Sequence, residues 1–551
     1  MARRKSSNST HRSDAQGANQ SILPLALQSD GHLSISELET WLWDAACVIR
    51  GAADAPKYKD FILPLVFYKR LSDVFEDECQ QYFELYGSEE LAYEFIKVDH
   101  QQALLEGRAP MVRFFVPDEY RWIKVRNHGS SDLGEFVTSA MRTVANLNPT
   151  LKGVLDVKDY NERQSGERTL DDGRLAALIE VVSRHRLGLH NAEPDILGRA
   201  YEYLLRKFAE GQGQSAGEFY TPKEVGWLIA SLINPHPQST VYDPTCGSGG
   251  LLIKSRLYYE EHAKDKAKSP RLFGQELNPV TFAMAKMNMF LHDYTDSSFA
   301  VGDTFTKPGF GAEGSGLQQF DYVVANPMWN QDAYEESFYE HDPWGRFQHF
   351  GYPPHSSADW AWLQHIYASL NEHGRAAVVL DTGSVSRGSG SKSSNRERDI
   401  RKKFVEEDII ECVILLPENL FYNTSAPGVV IMLNRDKLIE RKHQILLINA
   451  SNYFVKRKPK NELTGEGIEV IKQAFYSWEE IEKLSRLITV SEVSKVDYNL
   501  SPSQFVDVND IVTHRSLRFI MEDLLTVKSN REQADIQLSK LLAKLNLDIT
   551  F

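Results

Sequence analysis

Cysteine is scarce in this chain of 551 residues: four, at positions 47, 79, 246 and 412, with no close pair. That scatter excludes a disulfide framework and a zinc site built on thiolates. Long hydrophobic runs are missing as well, so no segment reads as a membrane span. The N-terminal stretch MARRKSSNSTHRSDAQGANQ is basic and serine-rich but lacks the apolar core of a secretory signal. It predicts a disordered tail over residues 1–33 and a cytoplasmic location. Surplus positive charge is also missing. The net charge is −14, which argues against a chain that grips nucleic acid unaided, because phosphate binding needs Lys and Arg. There are no internal repeats. Low complexity is confined to the tail and to SVSRGSGSKSSNRER at 384–398, expected to be a flexible loop.

What is present is an ordinary globular composition, 42% hydrophobic and 25% charged, long enough for several domains. Residues 34–165 carry apolar positions at helical spacing, as in ISELETWLWDAACVIRGA and YKDFILPLVFYKRLSDVFEDECQQYFELYG. Residues 170–485 alternate strand-like runs (STVYDP, RLFGQEL, FDYVVANP, RAAVVLDTG, IIECVILLP, GVVIMLN, QILLINA) with helical patterns. That alternation predicts an α/β fold with a mostly parallel sheet. Residues 486–551 end in a long, charged, amphipathic helical pattern, with Leu517, Ile520, Leu524, Leu525, Leu538, Leu541, Leu542 and Leu545 as apolar positions needing burial.

Chemistry enters at DPTCGSGG, residues 243–250. The run lies between a short strand and a helical pattern, the arrangement that presents backbone N–H groups to a ligand. A plain turn is the alternative. A dinucleotide fingerprint needs a further glycine three residues after Gly249, where Leu252 stands. Asp243 suits a ligand amine or hydroxyl better than a phosphate. Glu276, ending RLFGQEL, stands at the spacing from which a ribose is held. Asp303, in AVGDTF, is either a turn aspartate or a contact for an adenine amine. Together the three acids describe a pocket for an adenosine bearing a charged amino-acid tail.

The fourth strand ends at Asn326-Pro327-Met328-Trp329. The Asn326 side-chain oxygen and the Pro327 carbonyl can both accept from one exocyclic NH2 while that nitrogen attacks a sulfonium methyl. Trp329 offers a face for stacking a base. No Pro-Cys pair is present, so methylation of a cytosine carbon through a thiolate is not indicated. Cys246 reads as a packing residue. His349 and His355 have no Cys or acid at ligand spacing, and no metal is expected.

In this order, GEFYTP (217–222), DPTCGSGG, GQELNP, GD and NPMW resemble the amino-methylating DNA methyltransferases. With ADWAWLQHIYASLNEHGRAAVVL, LLPENLFYNTSAPGVVIML and KPKNELTGEGIEVI, the chain is similar to the modification subunit of type I restriction-modification systems. The resemblance implies a Rossmann-like S-adenosylmethionine-dependent methyltransferase core with a helical N-terminal domain and a helical C-terminal extension. It implies methylation of adenine N6 in double-stranded DNA. Glu218, Phe219, Tyr220, Thr221 and Pro222 would flank the methionine end of S-adenosylmethionine. Asp243, Gly247, Ser248, Gly249 and Gly250 would form its turn, Glu276 would hold its ribose and Asp303 its adenine. Asn326, Pro327 and Trp329 would hold the flipped target base. Met328 departs from the family's second proline, removing stiffness but not the backbone carbonyl.

The implied partners are DNA, a specificity subunit that chooses the site, a second copy of this chain, and a restriction (motor/nuclease) subunit. The terminal helix is the candidate for docking the specificity subunit. The basic stretches RWIKVR, RERDIRKK (396–403) and VKRKPK read as solvated faces rather than DNA contacts; if any touches phosphate, the second is favoured. Two further readings stay open: methylation of a protein glutamine amide, and a non-enzymatic relative that binds DNA or partners.

Overall fold

The computed structural model describes residues 33–192 apart from 54–56, 130, 157 and 165–166; residues 200, 203, 204 and 207; residues 221–508 apart from 264, 293, 295, 313–315, 422–423 and 459; and residues 517–544. The chain forms two compact units. One comprises residues 1–221 and 236–311, the other residues 222–235 and 312–551.

The first unit opens with helices α1 (Ile35–Ile49), α2 (Tyr58–Tyr86), α3 (Glu89–Glu106), α4 (Leu133–Leu147) and α5 (Asp172–Val182). Ser34 and Glu37 start α1 with a reciprocal capping box, satisfying two of the amides that a helix N-terminus leaves unpaired. Gly87 and Gly107, both in the left-handed region, end α2 and α3. Their helical spacing gathers Leu42, Leu65, Tyr68, Val137, Leu178 and their neighbours into one core. The Trp41 indole donates to the Val181 carbonyl at 2.7 Å. The helical layer therefore continues past the boundary expected at 165, because the apolar face of α5 completes that core.

The same unit holds β1 (Thr240–Asp243), α6 (Gly250–His262), β2 (Arg271–Glu276), α7 (Pro279–Leu291) and β3 (Ser298–Val301). The three strands are parallel in the order β1-β2-β3. Asn278 caps α7 through Val280 N, with Pro279 pre-set for the first turn. Ala283, Met284 and Met287 of α7 join the core of the N-terminal helices. Phe114 and Phe290 lie 6.4 Å apart there.

In the second unit six strands run in the order β4-β5-β7-β6-β8-β9: β4 (Phe320–Ala325), β5 (Leu370–Asp381), β6 (Ile410–Leu415), β7 (Gly428–Asn434), β8 (Gln444–Asn449) and β9 (Ser485–Thr489). Two strands depart from the otherwise parallel order. β7 is antiparallel to both β5 and β6, and β9 is antiparallel to β8. Among its described residues the link from β6 to β7 holds no helix. A parallel return needs a crossover, usually helical, so this chain comes back antiparallel. β9 also spans the boundary expected at 486, and Asn449 Nδ2 reaches the Val506 carbonyl at 3.1 Å, so the sheet-bearing unit runs past residue 500.

Helices α8 (Asp359–Ala368), α9 (Arg396–Glu406) and α10 (Gly465–Ser477) belong to this unit, together with the helix Lys223–Ile233. Tyr476 of α10 donates to the carbonyls of Ser231 and Leu232, each at 3.0 Å. The last helix, α11 (Leu517–Lys544), exposes Leu524 (60%) and Leu525 (62%). Among the described residues no helix is long and apolar enough to cross a membrane.

One expectation about residues 384–403 is corrected, and the basic run gains partners within the chain. The glycine–serine stretch is pinned: Arg401 is buried and donates to the carbonyls of Tyr498 (2.6 Å), Ser384 (3.1 Å) and Arg387 (2.9 Å). Much of the basic run is paired within the chain. Arg396 pairs with Glu336, Arg398 with Asp497, and Lys403 donates to the His349 carbonyl. Spacing alone could not reveal these partners, which lie as far as 99 residues away.

Candidate active site

One candidate site grows from β1. Val241 and Tyr242 are buried, and the strand ends at Asp243, 1% exposed. The chain then turns through Gly247 and Gly249 at φ +54° and +82°, a region that L side chains enter at a cost. The turn is fastened on several sides. Asp243 accepts from Thr245 N at 2.9 Å, and Thr304 Oγ1 donates to the Pro244 carbonyl at 2.6 Å. Cys246 N donates to Gln275 O at 2.9 Å, and Asn288 Nδ2 to Ser248 O at 2.9 Å. Glu276 accepts from Gly247 N at 3.0 Å and from Asn278 N at 2.8 Å. Gly302 N bonds the Glu276 carbonyl at 2.9 Å, and Asp303 accepts from Phe305 N at 2.8 Å. The three acids predicted at successive strand ends are thus joined through neighbouring backbone.

The two glycines do different work. A Cβ on Gly249 would lie 2.6 Å from Met289 Cε, within the protein, whereas a Cβ on Gly247 would meet nothing within 4 Å. Gly247 faces open space. Helix α6 then begins at Gly250 with no side-chain cap, leaving first-turn amides for another acceptor. Burial pushes the Asp243 carboxyl up to about 8, opposed by the Thr245 amide and reinforced by Glu276. Cys246 is buried in the turn, and burial raises its thiol well above the ordinary range. It is a packing residue, not a nucleophile. Glu218, Phe219 and Tyr220 lie outside the described residues. Thr221 is half-buried, and Pro222 is buried and leads into the helix Lys223–Ile233.

A second candidate site lies in the other unit. Beyond β4, Asn326 is 6% exposed, Pro327 is buried and Met328 half-buried. Trp329, 7% exposed, donates its indole N–H to Asn326 Oδ1 at 3.2 Å. Its ring meets Phe421 edge-on, centroids 4.7 Å apart at 65°. Gly428 makes that pair possible: a Cβ there would lie 2.8 Å from Phe421 Cε2 and 3.0 Å from Trp329 Cη2. Reading the residues one by one did not single out Phe421 or Gly428. Their only signal is an aromatic residue ahead of a glycine that opens an apolar strand. His349 and His355, weighed as metal ligands, face Glu407 at 2.7 Å and Glu335 at 3.6 Å. Among the described residues no group of three or more His, Cys, Asp or Glu could hold a metal ion.

Comparison with known proteins decides the family. The N-6 DNA Methylase family model matches residues 192–513, and the HsdM N-terminal domain model matches residues 38–182. The chain belongs to the N-6 DNA methylase family. Among the relatives of this methylase is the type I restriction enzyme MjaVIII methylase subunit of Methanocaldococcus jannaschii, 34% identical over 501 residues, covering 88% of this chain and 80% of the relative. The type I restriction enzyme MpnII methylase subunit of Mycoplasma pneumoniae is 28% identical, covering 85% and 89% of the two chains. A solved type I restriction-modification methyltransferase subunit from Streptococcus thermophilus superposes with a TM-score of 0.70 at 29% identity, covering 86% of this methylase and all of that chain. The family, the α/β core with its helical N-terminal domain, and the activity implied by the sequence resemblance are therefore established. This is a DNA methyltransferase acting on adenine N6, of the kind found as the methylase subunit of type I restriction systems. Neither the protein-amide reading nor the non-enzymatic one is favoured.

Proposed function

We propose that this methylase takes S-adenosylmethionine as its methyl donor in the turn after β1 and adenine at the loop after β4. The carrying observation is the turn itself. Gly247 opens onto free space, Glu276 is bound to its amide, and Asp243 is buried beside it with its proton held far above the ordinary range. Such a cradle suits a cationic, hydroxyl-bearing ligand. A positive charge nearby would offset the cost of ionising buried Asp243. Glu276 carries the ribose, Asp303 the adenine, and Gly247, Ser248, Gly249 and Gly250 supply close backbone. Residues 218–222 flank the methionine end. When bound, the cofactor supplies a methyl group on a sulfonium sulfur, electrophilic without further activation.

The chain's own task is to hold the nucleophile. Asn326 Oδ1 and the Pro327 carbonyl accept the two N–H bonds of the adenine amine, so that its lone pair is left to attack. Trp329, with Phe421 behind it, provides the aromatic wall. The Trp329 N–H now resting on Asn326 Oδ1 must exchange for the substrate amine. No covalent enzyme intermediate is required.

Partners follow from the same reading. Double-stranded DNA is the substrate and a separate specificity subunit chooses the site. A second copy of this chain and a restriction (motor/nuclease) subunit complete the assembly. The test is methylation of DNA by the full complex carrying Asn326→Ala. Calorimetry should find cofactor affinity kept, while transfer falls roughly 10²–10³-fold, as when one group that stabilises a transition state is removed. Wild-type transfer by Asn326→Ala would refute the assignment.

A further inference from the structure

Immediately after Trp329 the chain makes a left-handed step at Asn330, φ +54°. Three groups hold that one residue. Its N–H donates to Asp359 Oδ1 at 3.1 Å. Its side-chain oxygen accepts from Arg387 Nη1 at 2.7 Å, and its Nδ2 lies 3.4 Å from Asp381 Oδ2. Arg387 is the hub. Its guanidinium also binds Asp381 (3.0 Å), both oxygens of Glu397 (2.7 and 2.9 Å), Ser357 Oγ (3.1 Å) and, by a short contact, Asp359. Asp359 and Glu397 are buried. Two backbone bonds continue the fastening: Ala358 N to Gln331 O at 2.7 Å, and Ala333 N to His355 O at 2.7 Å.

A single guanidinium facing three carboxylates and an amide is more than local packing requires. A planar fork fixes direction as well as position, which a lysine cannot do. We infer that Arg387, with Asp359, sets the path of the chain leaving Asn326–Trp329, making both positioning residues for methyl transfer. The inference rests on the catalytic role given to Asn326 above. Neither residue need touch substrate: they act through Asn330 on the aim of Trp329 and Asn326. A misplacement on the order of 1 Å in such a loop costs about 10²-fold in rate.

The experiment uses the full complex and DNA carrying the site at which the wild-type complex places its methyl groups. Single-turnover methyl transfer is measured beside cofactor affinity, DNA affinity and Tm. Arg387→Met keeps the aliphatic stem and removes the fork. Transfer should fall about 10–100-fold, with both affinities within about twofold of wild type. Arg387→Lys should recover part of the rate. Asn330→Gly, which keeps the left-handed backbone and its N–H but loses the side chain, should fall between the two. Wild-type transfer by Arg387→Met overturns the inference. So does a loss matched by equal losses of cofactor and DNA affinity, since that would be general unfolding. Asn326→Ala, run alongside, separates the two claims. If Asn326→Ala is inactive and Arg387→Met fully active, only the positioning claim falls. If Asn326→Ala is active, the catalytic reading falls and takes this one with it.

Discussion

Asp243 is a carboxyl held where it would rather not be charged. Its pKa rises from 3.8 to about 8 on burial, so the folded chain keeps a proton that the unfolded chain releases. The contribution of this group to stability is intact below about pH 4 and is lost as pH climbs towards 8. Asp243→Asn, a neutral isostere, should stabilise the ligand-free protein, by on the order of a few kcal/mol at pH 8 and much less at pH 5. Scanning calorimetry at the two pH values checks it, and an equal gain at both would contradict the assignment. The same substitution should abolish cofactor binding, a function-for-stability exchange visible in one variant. The glycines give a second comparison. Gly247→Asn tolerates the positive φ but fills the open space, and should cost most of the cofactor affinity. Gly249→Ala meets only the mobile end of Met289, so its penalty should be conformational, about 1–2 kcal/mol of stability, with cofactor affinity largely kept. Isothermal titration distinguishes the two. The glycine run was legible in the sequence, but which glycine faces open space was not, because direction belongs to the fold. The same holds for Gly428. Its Cβ-less contact with Trp329 and Phe421 joins residues 99 and 7 positions away, and only the strand pairing of β7 places it.

Elements were read well where one period dominated. The seven strand-like runs all became strands, because continuous Val, Ile and Leu have little use except burial. Reading failed where composition stood in for partners. The 384–398 stretch is rich in glycine and serine, and its flexibility was expected on entropy alone. Half-buried Arg387 and buried Arg401, bound to distant carbonyls and acids, outweigh that entropy. Arg401→Ala should therefore destabilise the fold, by about 3 kcal/mol or more, since several buried carbonyls lose a charged donor at once. Were the basic run of α9 a phosphate contact, the loss would appear in DNA affinity with stability unchanged, and paired unfolding and binding titrations tell these apart. Helix α11 is the opposite case. Its amphipathic pattern was legible, and Ile520, Met521, Leu524, Leu525, Val527, Ile536, Leu538 and Leu541 are all exposed. Apolar surface of this extent on a lone helix calls for a partner. Deleting residues 515–551 should abolish co-purification with the specificity subunit while leaving cofactor affinity intact. Unchanged co-purification would assign the docking elsewhere.

At the scale of the whole molecule the net charge of −14 sets the terms of DNA binding. The isolated chain should bind duplexes weakly and without site preference, and the affinity should fall steeply with salt. Only the complete complex should methylate at one sequence, and site-specific methylation by the chain alone would defeat this. The order of the fold along the chain also governs how it is made. Residues 222–235 belong with a unit whose remainder begins at residue 312. The carbonyls of Ser231 and Leu232 wait for Tyr476, about 245 positions downstream. At roughly 5–20 residues per second of synthesis, that delay is about 10–50 s. Val225, Leu228, Ile229 and Leu232, all buried in the finished protein, leave the ribosome well before β5 and α10, which pack on their helix. A nascent chain stalled before residue 465 should therefore be held by chaperones or aggregate, and release should coincide with the emergence of α10.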